Sequence, residues 1–276
     1  MEDSISRQLM LSRRLFLVSS AALAGGLRAM PSTPACVLTA EQEEGPYYVE
    51  YEKVSQDITE GKPGVPLRLQ VALVHAKTCA PLPNAMLDIW HCDAEGIYSG
   101  FTASHLGGPG GFGRRPPGPP PDGPPPGGFG PPPRKHGAMD ATRFLRGVQA
   151  TDEKGMVEFA TIYPGWYEGR TIHIHLKVHT GGHVSHTGQL FFPEDVTMRI
   201  AQMQPYAKHR DTQLTTQDED HVFQEEHGAS GMVTLSRIGG KLDSAGFIAR
   251  ATLAVDPEAI PEPVGMAGPR FSGLRR

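Results

Sequence analysis

The chain has 276 residues, a length that predicts one domain and at most two. Hydrophobic residues make up 38% and charged residues 20%, enough apolar side chains for a core and too few charges for a wholly disordered protein. The formal net charge is -4, which argues against nucleic acid as a partner because nucleic-acid-binding domains are usually basic. No apolar run reaches the ~18 residues that a membrane helix needs, so we expect no membrane span in the mature chain.

The first thirty residues have the pattern of an export signal. Arg13-Arg14 precede an apolar, Ala- and Gly-rich stretch that ends near Leu27. This order is typical of a twin-arginine signal, which we predict over residues 1–29, and it implies a periplasmic or extracellular protein. An ordinary N-terminal helix of the fold is the alternative interpretation. The true start can be Met1 or Met10.

Three cysteines are present, Cys36, Cys79 and Cys92, and an exported protein can form disulfides. A predicted strand at about 84–91 separates Cys79 from Cys92. At ~3.3 Å per residue it holds their Cα atoms too far apart to bridge. We therefore expect Cys36 to belong to any disulfide, and its partner stays open.

Most of an unusual glycine and proline content lies in one segment. Between residues 107 and 133, 22 of 27 positions are Gly or Pro, without the strict period of collagen. We predict a disordered surface insertion between two strands, since almost nothing in it can be buried. A proline-rich ligand for a partner protein is the alternative. The rest forms one domain over residues 36–256, followed by a flexible tail over 257–276.

The elements predicted in that domain are short strands separated by Gly, Pro and Asp turns. Apolar residues recur with period two, which is typical of half-buried strands. Only one segment, 195–203, has a helical pattern, with Asp195 as its candidate N-cap. The sequence therefore predicts an all-β fold, an antiparallel β-sandwich with long loops and one short helix. The predicted strands cover residues 67–74, 85–90, 144–150, 156–162, 171–179, 189–192 and 247–255.

The strand predicted at 171–179 carries histidines on one face. Residues two apart in a strand share a face, so the four apolar residues Ile172, Ile174, Leu176 and Val178 should point into the core. His173 and His175 then point the other way, with Lys177 and His179. A solvated polar face is one interpretation. Alternatively, His173 and His175 bind one metal, because their Cβ atoms lie about 7 Å apart.

Two tyrosines extend this candidate metal site. Tyr167 lies six residues before His173, behind a Pro-Gly turn that could fold it back, and Tyr98 follows the end of the strand before the insertion. A phenolate is a hard anionic donor, so two tyrosines favour Fe(III), whereas zinc more often takes Cys, His or carboxylate ligands. His91 and Cys92 are discounted as a metal pair because adjacent strand residues face opposite ways.

Five further motifs span most of residues 41–195. They are Glu44-Gly45-Pro46-Tyr47-Tyr48, Asp88 to Asp93 with Gly96 to Ser99, Pro164-Gly165-Trp166-Tyr167, Arg170 to His175, and Gly188 to Phe192. These motifs, and their order, resemble those of the intradiol ring-cleavage dioxygenases, the non-haem ferric enzymes that cleave catechols, protocatechuate and hydroxyquinol. Residues 44–48 are interpreted as a wall of the substrate pocket or as a plain entry turn.

The resemblance implies a ligand set and a reaction. Tyr98 resembles the equatorial ligand and Tyr167 the axial ligand that leaves when substrate binds, and His173 and His175 complete the protein ligands of Fe(III). Arg170 resembles the arginine that faces the bound catecholate, and Gln189 the active-site glutamine of the family. The implied reaction cleaves a catechol-type diol with O2 to a cis,cis-muconate-type diacid, without an external reductant.

Three features depart from the family pattern. The run from Tyr167 to His173 is short, which implies a more open pocket wall. The chain has no room for a long N-terminal dimerisation segment, so the oligomeric state stays open. With the insertion and the signal, these features resemble an exported branch of the family, and they leave the particular diol open.

Two other function classes fit parts of the sequence. A non-catalytic exported β-sandwich could bind a sugar, a surface or a partner, but it leaves Tyr98, Tyr167, His173 and His175 without a role. A zinc or copper hydrolase or oxidase could use the same two histidines, but no carboxylate base lies beside them.

Overall fold

Eight β-strands and two short α-helices make up the regular elements of the described residues, which are 36–50, 53–102, 138–240 and 242–264 of this computed structural model. Short 3-10 turns at Tyr206–His209, Gly228–Gly231 and Asp243–Ala245 join them. All of these elements belong to the unit that begins at residue 34. In the described ranges, none of the helices is long and apolar enough to cross a membrane. The elements are β1 (Pro66–His75), β2 (Met86–Trp90), β3 (Arg146–Ala150), β4 (Met156–Ile162), β5 (His173–Thr180), β6 (His183–Phe191), α1 (Glu194–Ile200), α2 (His221–Glu225), β7 (Thr234–Arg237) and β8 (Phe247–Val255).

The strands form two four-stranded sheets. The first has the order β4-β1-β8-β7 and the second the order β3-β2-β5-β6. Neighbours are antiparallel except β1 and β8, which run parallel from the pair Leu67 and Phe247 to the pair His75 and Val255. The all-β sandwich is thus confirmed, with one parallel pair that the sequence did not predict.

One hydrophobic core lies between the sheets. β1 shows why: Leu67, Leu69, Val71 and Leu73 are buried at every second position, as the period-two pattern predicts. In β5 and the residue before it, the side chains predicted to point inward do so. They are Ile172, Ile174, Leu176 and Val178, and all four belong to the core.

Several predicted elements need correction. The described residues contain a second α-helix, α2, and a strand, β7, that were not predicted. Strand β6 begins at His183, six residues before its predicted start, because its first half is polar and carries no apolar alternation. Asp195 is not the N-cap of α1: the helix begins at Glu194 after Pro193, and no side chain caps it.

Three predictions about the chain termini and the insertion fall wholly or partly on residues outside the described ranges. These are the signal at 1–29, the insertion at 107–133 and the tail from 265 onward. The described start of the predicted tail contacts the β5–β6 hairpin: the Thr180 hydroxyl donates to the Pro257 carbonyl at 2.5 Å, and His183 Nε2 to the Ala259 carbonyl at 3.1 Å.

A disulfide joins Cys36 to Cys79, with Cα atoms 5.5 Å apart, and Cys92 is a buried free thiol. The prediction that Cys36 belongs to the disulfide is confirmed, and so is the exclusion of a bridge between Cys79 and Cys92. The bridge ties the start of the described chain to the turn after β1, next to the segment that covers the second sheet.

Candidate functional site

The four side chains predicted as metal ligands lie together on the outward face of the second sheet. Their polar atoms surround His173 Nε2, which is 3.4 Å from Tyr98 Oη, 3.2 Å from Tyr167 Oη and 3.0 Å from His175 Nε2. All four residues are buried, with exposed fractions between 0% and 7%. The interpretation of this face as solvated is therefore wrong. Two imidazoles and two phenols instead converge on one point.

Strand β5 supplies the two histidines. His173 is its first residue and His175 follows on the same face, while the residues between and after them enter the core. The ring of His175 stacks on Trp90 of the neighbouring strand β2, with centroids 5.0 Å apart and planes 3° apart. Gly45 also approaches this ring, and a Cβ there would lie 3.0 Å from His175 Cε1. His175 is thus held between two elements.

Tight turns bring in the two tyrosines. Tyr167 pairs with Arg170 across the turn Glu168-Gly169, where Gly169 has a φ of 84°. This turn, rather than the preceding Pro-Gly, folds Tyr167 back beside β5. Tyr98 follows a loop closed by Asp93, whose carboxylate accepts hydrogen bonds from the Glu95 and Ile97 amides, both at 3.0 Å.

The His173 imidazole presents a lone pair to this point. His173 Nδ1 lies 2.6 Å from the Thr171 carbonyl, which can only accept, so Nδ1 carries the proton and Nε2 is free to bind a cation. Within the described residues, His175 Nδ1 has no hydrogen-bond partner. Burial, together with nearby positive charges, lowers the pKa of both histidines well below the ordinary value, so both rings are neutral at physiological pH.

The tyrosine oxygens need a cation before they ionise. Burial and the neighbouring Tyr167 raise the pKa of Tyr98 well above its ordinary value. Burial also raises the pKa of Tyr167, and it outweighs the opposing effect of the Arg170 guanidinium. In the described ranges no three His, Cys, Asp or Glu side chains are grouped to hold a metal, so an ion here depends on the phenol oxygens. The donor set fits a hard, highly charged cation.

Arg170 lies beside this cluster in a network of acceptors. Both Asp220 carboxylate oxygens accept from its Nε at 3.1 Å, Glu43 Oε1 lies 3.3 Å from Nη1, and Gln189 Oε1 accepts from Nη2. Burial alone would lower the pKa of Arg170, but Tyr167, Asp220 and Glu43 together raise it above the ordinary value. The guanidinium is therefore a fixed positive charge next to Tyr167.

Gln189 lies in β6 directly opposite His175. Its Nε2 donates to the Glu43 carbonyl at 3.0 Å, and its backbone amide donates to Gln42 Oε1 at 2.7 Å. Because its amide oxygen also accepts from Arg170, Gln189 connects the arginine to the covering segment. The structure thus brings all six sequence-predicted site residues into one buried region.

Residues 41–48 form a strap across the outward face of the second sheet. Glu44 pairs with Lys177 at 2.5 Å, and Tyr47 stacks on Tyr98 with ring centroids 4.4 Å apart. Tyr48 packs against Trp90, 4.8 Å between ring centroids. Residues 44–48 thus pack on the cluster, and their interpretation as a wall of the substrate pocket stays a prediction. The strap explains why a polar strand face is buried.

Asp220 is the main site residue that the sequence reasoning missed. Its side chain is fully buried and caps α2, accepting from the Val222 and Phe223 amides at 2.9 and 3.3 Å. The same carboxylate accepts from Arg170 and from the Thr171 amide. The signal in the sequence, an Asp before a five-residue helix, indicates only a cap.

His91 and Cys92 lie just after the end of β2 at Trp90, and the contacts of His91 leave it no free ring nitrogen for a metal. Both ring nitrogens of His91 are engaged, Nδ1 with the Cys92 carbonyl and Nε2 with the Thr161 hydroxyl, each at 2.8 Å. Since no lone pair of His91 faces the cluster, it connects the end of β2 to β4 across the core.

Comparison with known proteins finds similarity among solved structures. No protein-family model and no curated protein matches the chain. An intradiol ring-cleavage dioxygenase from Tetranychus urticae is 31% identical, with a TM-score of 0.67, over 83% of this chain and 98% of that one. A second dioxygenase crystal structure is 32% identical, with a TM-score of 0.66, over 81% and 96%. The dioxygenase domain of a dioxygenase carbohydrate-binding fusion from Streptomyces sp. SirexAA-E, 23% identical with a TM-score of 0.50 over 79% and 98%, shares the fold.

Proposed function

Since the chain belongs to the intradiol ring-cleavage dioxygenase family and is therefore an oxidoreductase, we propose that it binds Fe(III) and cleaves a catechol-type diol with O2. The ring opens between the two hydroxyl-bearing carbons, and both oxygen atoms enter a cis,cis-muconate-type diacid. The diol supplies the electrons, so no external reductant is consumed. The observation that carries this proposal is the convergence of Tyr98, Tyr167 and His175 on His173 Nε2.

Tyr98, Tyr167, His173 and His175 would hold the metal. Bound there, Fe(III) would supply Lewis acidity that lowers the pKa of both diol hydroxyls. The Thr171 carbonyl keeps the His173 proton on Nδ1 and so keeps Nε2 directed at the site. The stack on Trp90 holds the His175 ring in its plane.

Tyr167 would take up a proton from the diol. Tyr167 lies outside the strands, and Gly169 in the turn that follows it has no atom within 4 Å of an added Cβ. This open space supports a proposed shift of the turn when the diol binds. Tyr167 Oη would then be the group that accepts a hydroxyl proton from the diol.

Arg170 would stabilise negative charge on the ring as O2 attacks. Its guanidinium is fixed before substrate binds, because Asp220, Glu43 and Gln189 each accept from it. A preoriented charge in a buried site stabilises a developing anion without reorganisation. Gln189 would act by keeping Arg170 in this orientation.

The test is a visible spectrum of the protein loaded with Fe(III), recorded before and after anaerobic addition of catechol, protocatechuate or hydroxyquinol. We expect a phenolate-to-iron absorption band, a shift to longer wavelength with one diol, and uptake of O2 with formation of the ring-opened diacid. His175→Ala should lose the iron. His179→Ala is the matched control, since His179 lies on the same strand outside the cluster. A colourless iron-loaded protein, or iron retained by the His175 variant, would contradict the proposal.

We also propose that the protein is exported to an oxidising compartment, periplasmic or extracellular. The Cys36–Cys79 disulfide supports this, since stable disulfides are rare in reducing cytosol, and so does the twin-arginine pattern at Arg13-Arg14. Fractionation of cells that express the chain with Arg13 and Arg14 intact or changed to Lys tests it. Accumulation of the Lys variant in the cytosol is expected, and equal export of both would refute the signal.

A further inference from the structure

Arg146 lies at the end of a row of site residues that crosses the second sheet. It is the first residue of β3 and pairs with Trp90 of β2, which pairs with His175 of β5, which in turn pairs with Gln189 of β6. Trp90 stacks on His175 and Gln189 bonds to Arg170. Each of the other three residues thus belongs to the proposed metal centre or contacts it, which raises the question of what Arg146 does there.

The guanidinium of Arg146 holds the two segments that flank Tyr98. Its Nε donates to the Ser99 hydroxyl and its Nη2 to the Ser99 carbonyl, both at 2.8 Å. Nη2 also donates to the Tyr47 carbonyl at 2.7 Å. Ser99 follows Tyr98 in the chain, and the Tyr47 ring stacks on the Tyr98 ring at an angle of 18°. The Arg146 side chain therefore holds both the backbone next to Tyr98 and the residue, Tyr47, whose ring stacks on the Tyr98 ring.

A residue that only connected these two segments would not need the positive charge of the Arg146 guanidinium. Arg146 is 3% exposed, and within the described residues no carboxylate lies in ion-pair distance of it. Burial lowers the pKa of Arg146 to about 10, partly offset by Tyr98 and Asp88. Leaving a buried charge without a direct counter-ion is costly, whereas an apolar residue of similar volume is often neutral or stabilising.

We propose that Arg146 is a positioning residue of the metal centre, which holds Tyr98 Oη at the point where Tyr167, His173 and His175 meet. The inference rests on the proposed function, because Tyr98 is positioned for a metal. Arg146 touches none of the other ligands by hydrogen bond. Its effect therefore passes through Tyr98 and differs from that of a ligand.

The test compares Arg146→Met and Ser99→Ala with the wild type. Ser99→Ala removes the hydroxyl that accepts from Nε and leaves the charge in place. Arg250→Met is the matched control, because Arg250 is an exposed arginine of the other sheet that donates to a serine hydroxyl at 3.0 Å. The readouts are Fe(III) affinity, by competition with a chelator, and the wavelength of the phenolate-to-iron band. Near-ultraviolet circular dichroism of the iron-free protein reports on the Tyr47–Tyr98 stack separately.

Arg146→Met should weaken Fe(III) binding by roughly 10–100-fold, the usual effect of losing a residue that orients a metal ligand, and should shift the band. Ser99→Ala should change the Fe(III) affinity and the band wavelength in the same direction but by less. Arg250→Met should leave both readouts unchanged. Wild-type affinity and band in Arg146→Met, or in Ser99→Ala if the first variant does not fold, would overturn the role of Arg146. A wild-type protein that binds no Fe(III) would refute the proposed function instead.

Discussion

The buried contact between Asp220 and Arg170 predicts that Asp220→Asn lowers the free energy of unfolding. Asp220→Asn keeps a side-chain oxygen that can still cap α2, but it removes the negative charge and one of the two oxygens facing Arg170 Nε. Both partners are buried, with exposed side-chain fractions of 8% for Arg170 and 0% for Asp220. Removing one partner of a buried ion pair typically costs ~3–5 kcal/mol, because the other charge is left in the interior.

Glu43 limits this cost, since it lies 3.3 Å from Arg170 Nη1 and still offers one counter-charge. We therefore expect the free energy of unfolding to fall by about 3 kcal/mol, at the lower end of that range. For a chain of this size, that loss corresponds to a decrease in Tm of roughly 6–12 °C. The assay is urea denaturation of the iron-free protein, with a lower midpoint and an unchanged slope.

Asp243→Asn is the control for this prediction. Asp243 also bonds to arginines, Arg199 at 2.7 Å and Arg237 at 2.6 Å, but those arginines are 42% and 41% exposed. Exposed pairs of this kind contribute about 0–1 kcal/mol. If Asp220→Asn lowers the free energy of unfolding by no more than Asp243→Asn does, burial is not what makes the Arg170–Asp220 pair stabilising.

Two further changes test the acid response and the strap. Burial lowers the pKa of His91 to about 4 from the 6.5 of an unfolded chain, so the unfolded state binds the proton first and stability should fall by about 3 kcal/mol as pH drops from 6.5 to 4. His91→Gln should flatten that part of a denaturation profile, and an unchanged slope would count against this. Gly45→Ala should weaken Fe(III) binding because its Cβ would lie 3.0 Å from His175 Cε1, whereas Gly61→Ala, with a similar φ and no atom within 4 Å, should not. Competition with a chelator measures the Fe(III) affinity of both variants. Equal affinities would refute the importance of the close approach of Gly45 to His175.

The fold could be predicted where local pattern and burial agree. Strands β4 and β8 have their predicted bounds, because apolar alternation runs over their whole length between turns. The five residues of α2 and the four of β7 give no periodic signal, since each covers about one turn or two pleats. The polar first half of β6 is a strand because β5 pairs with it after the Gly181-Gly182 turn.

The residues of the candidate site also fall into two groups, those that local sequence pattern predicts and those that are brought in from distant parts of the chain. The spacing of His173 and His175 places both on one strand face, which the sequence alone provides. Tyr98 lies 75 positions from His173, and its place beside it was implied by resemblance. Asp220, 50 positions from Arg170, gave no sequence signal for the site beyond a helix cap, and the motif that contains Tyr47 did not predict its stack on Tyr98. Only the packed chain brings these segments together.

The unpaired polar atoms of the second sheet point to the same conclusion about function. Trp90 Nε1, Arg146 Nη1 and His175 Nδ1 are buried without a hydrogen-bond partner among the described residues. These three residues are consecutive in one row across β3, β2 and β5. Native proteins bury few such atoms, because each costs about 1–3 kcal/mol. Three such atoms in one row lower the stability of the fold. The best explanation for keeping these residues is that His175 is needed at this point, with Trp90 and Arg146 supporting it from the side.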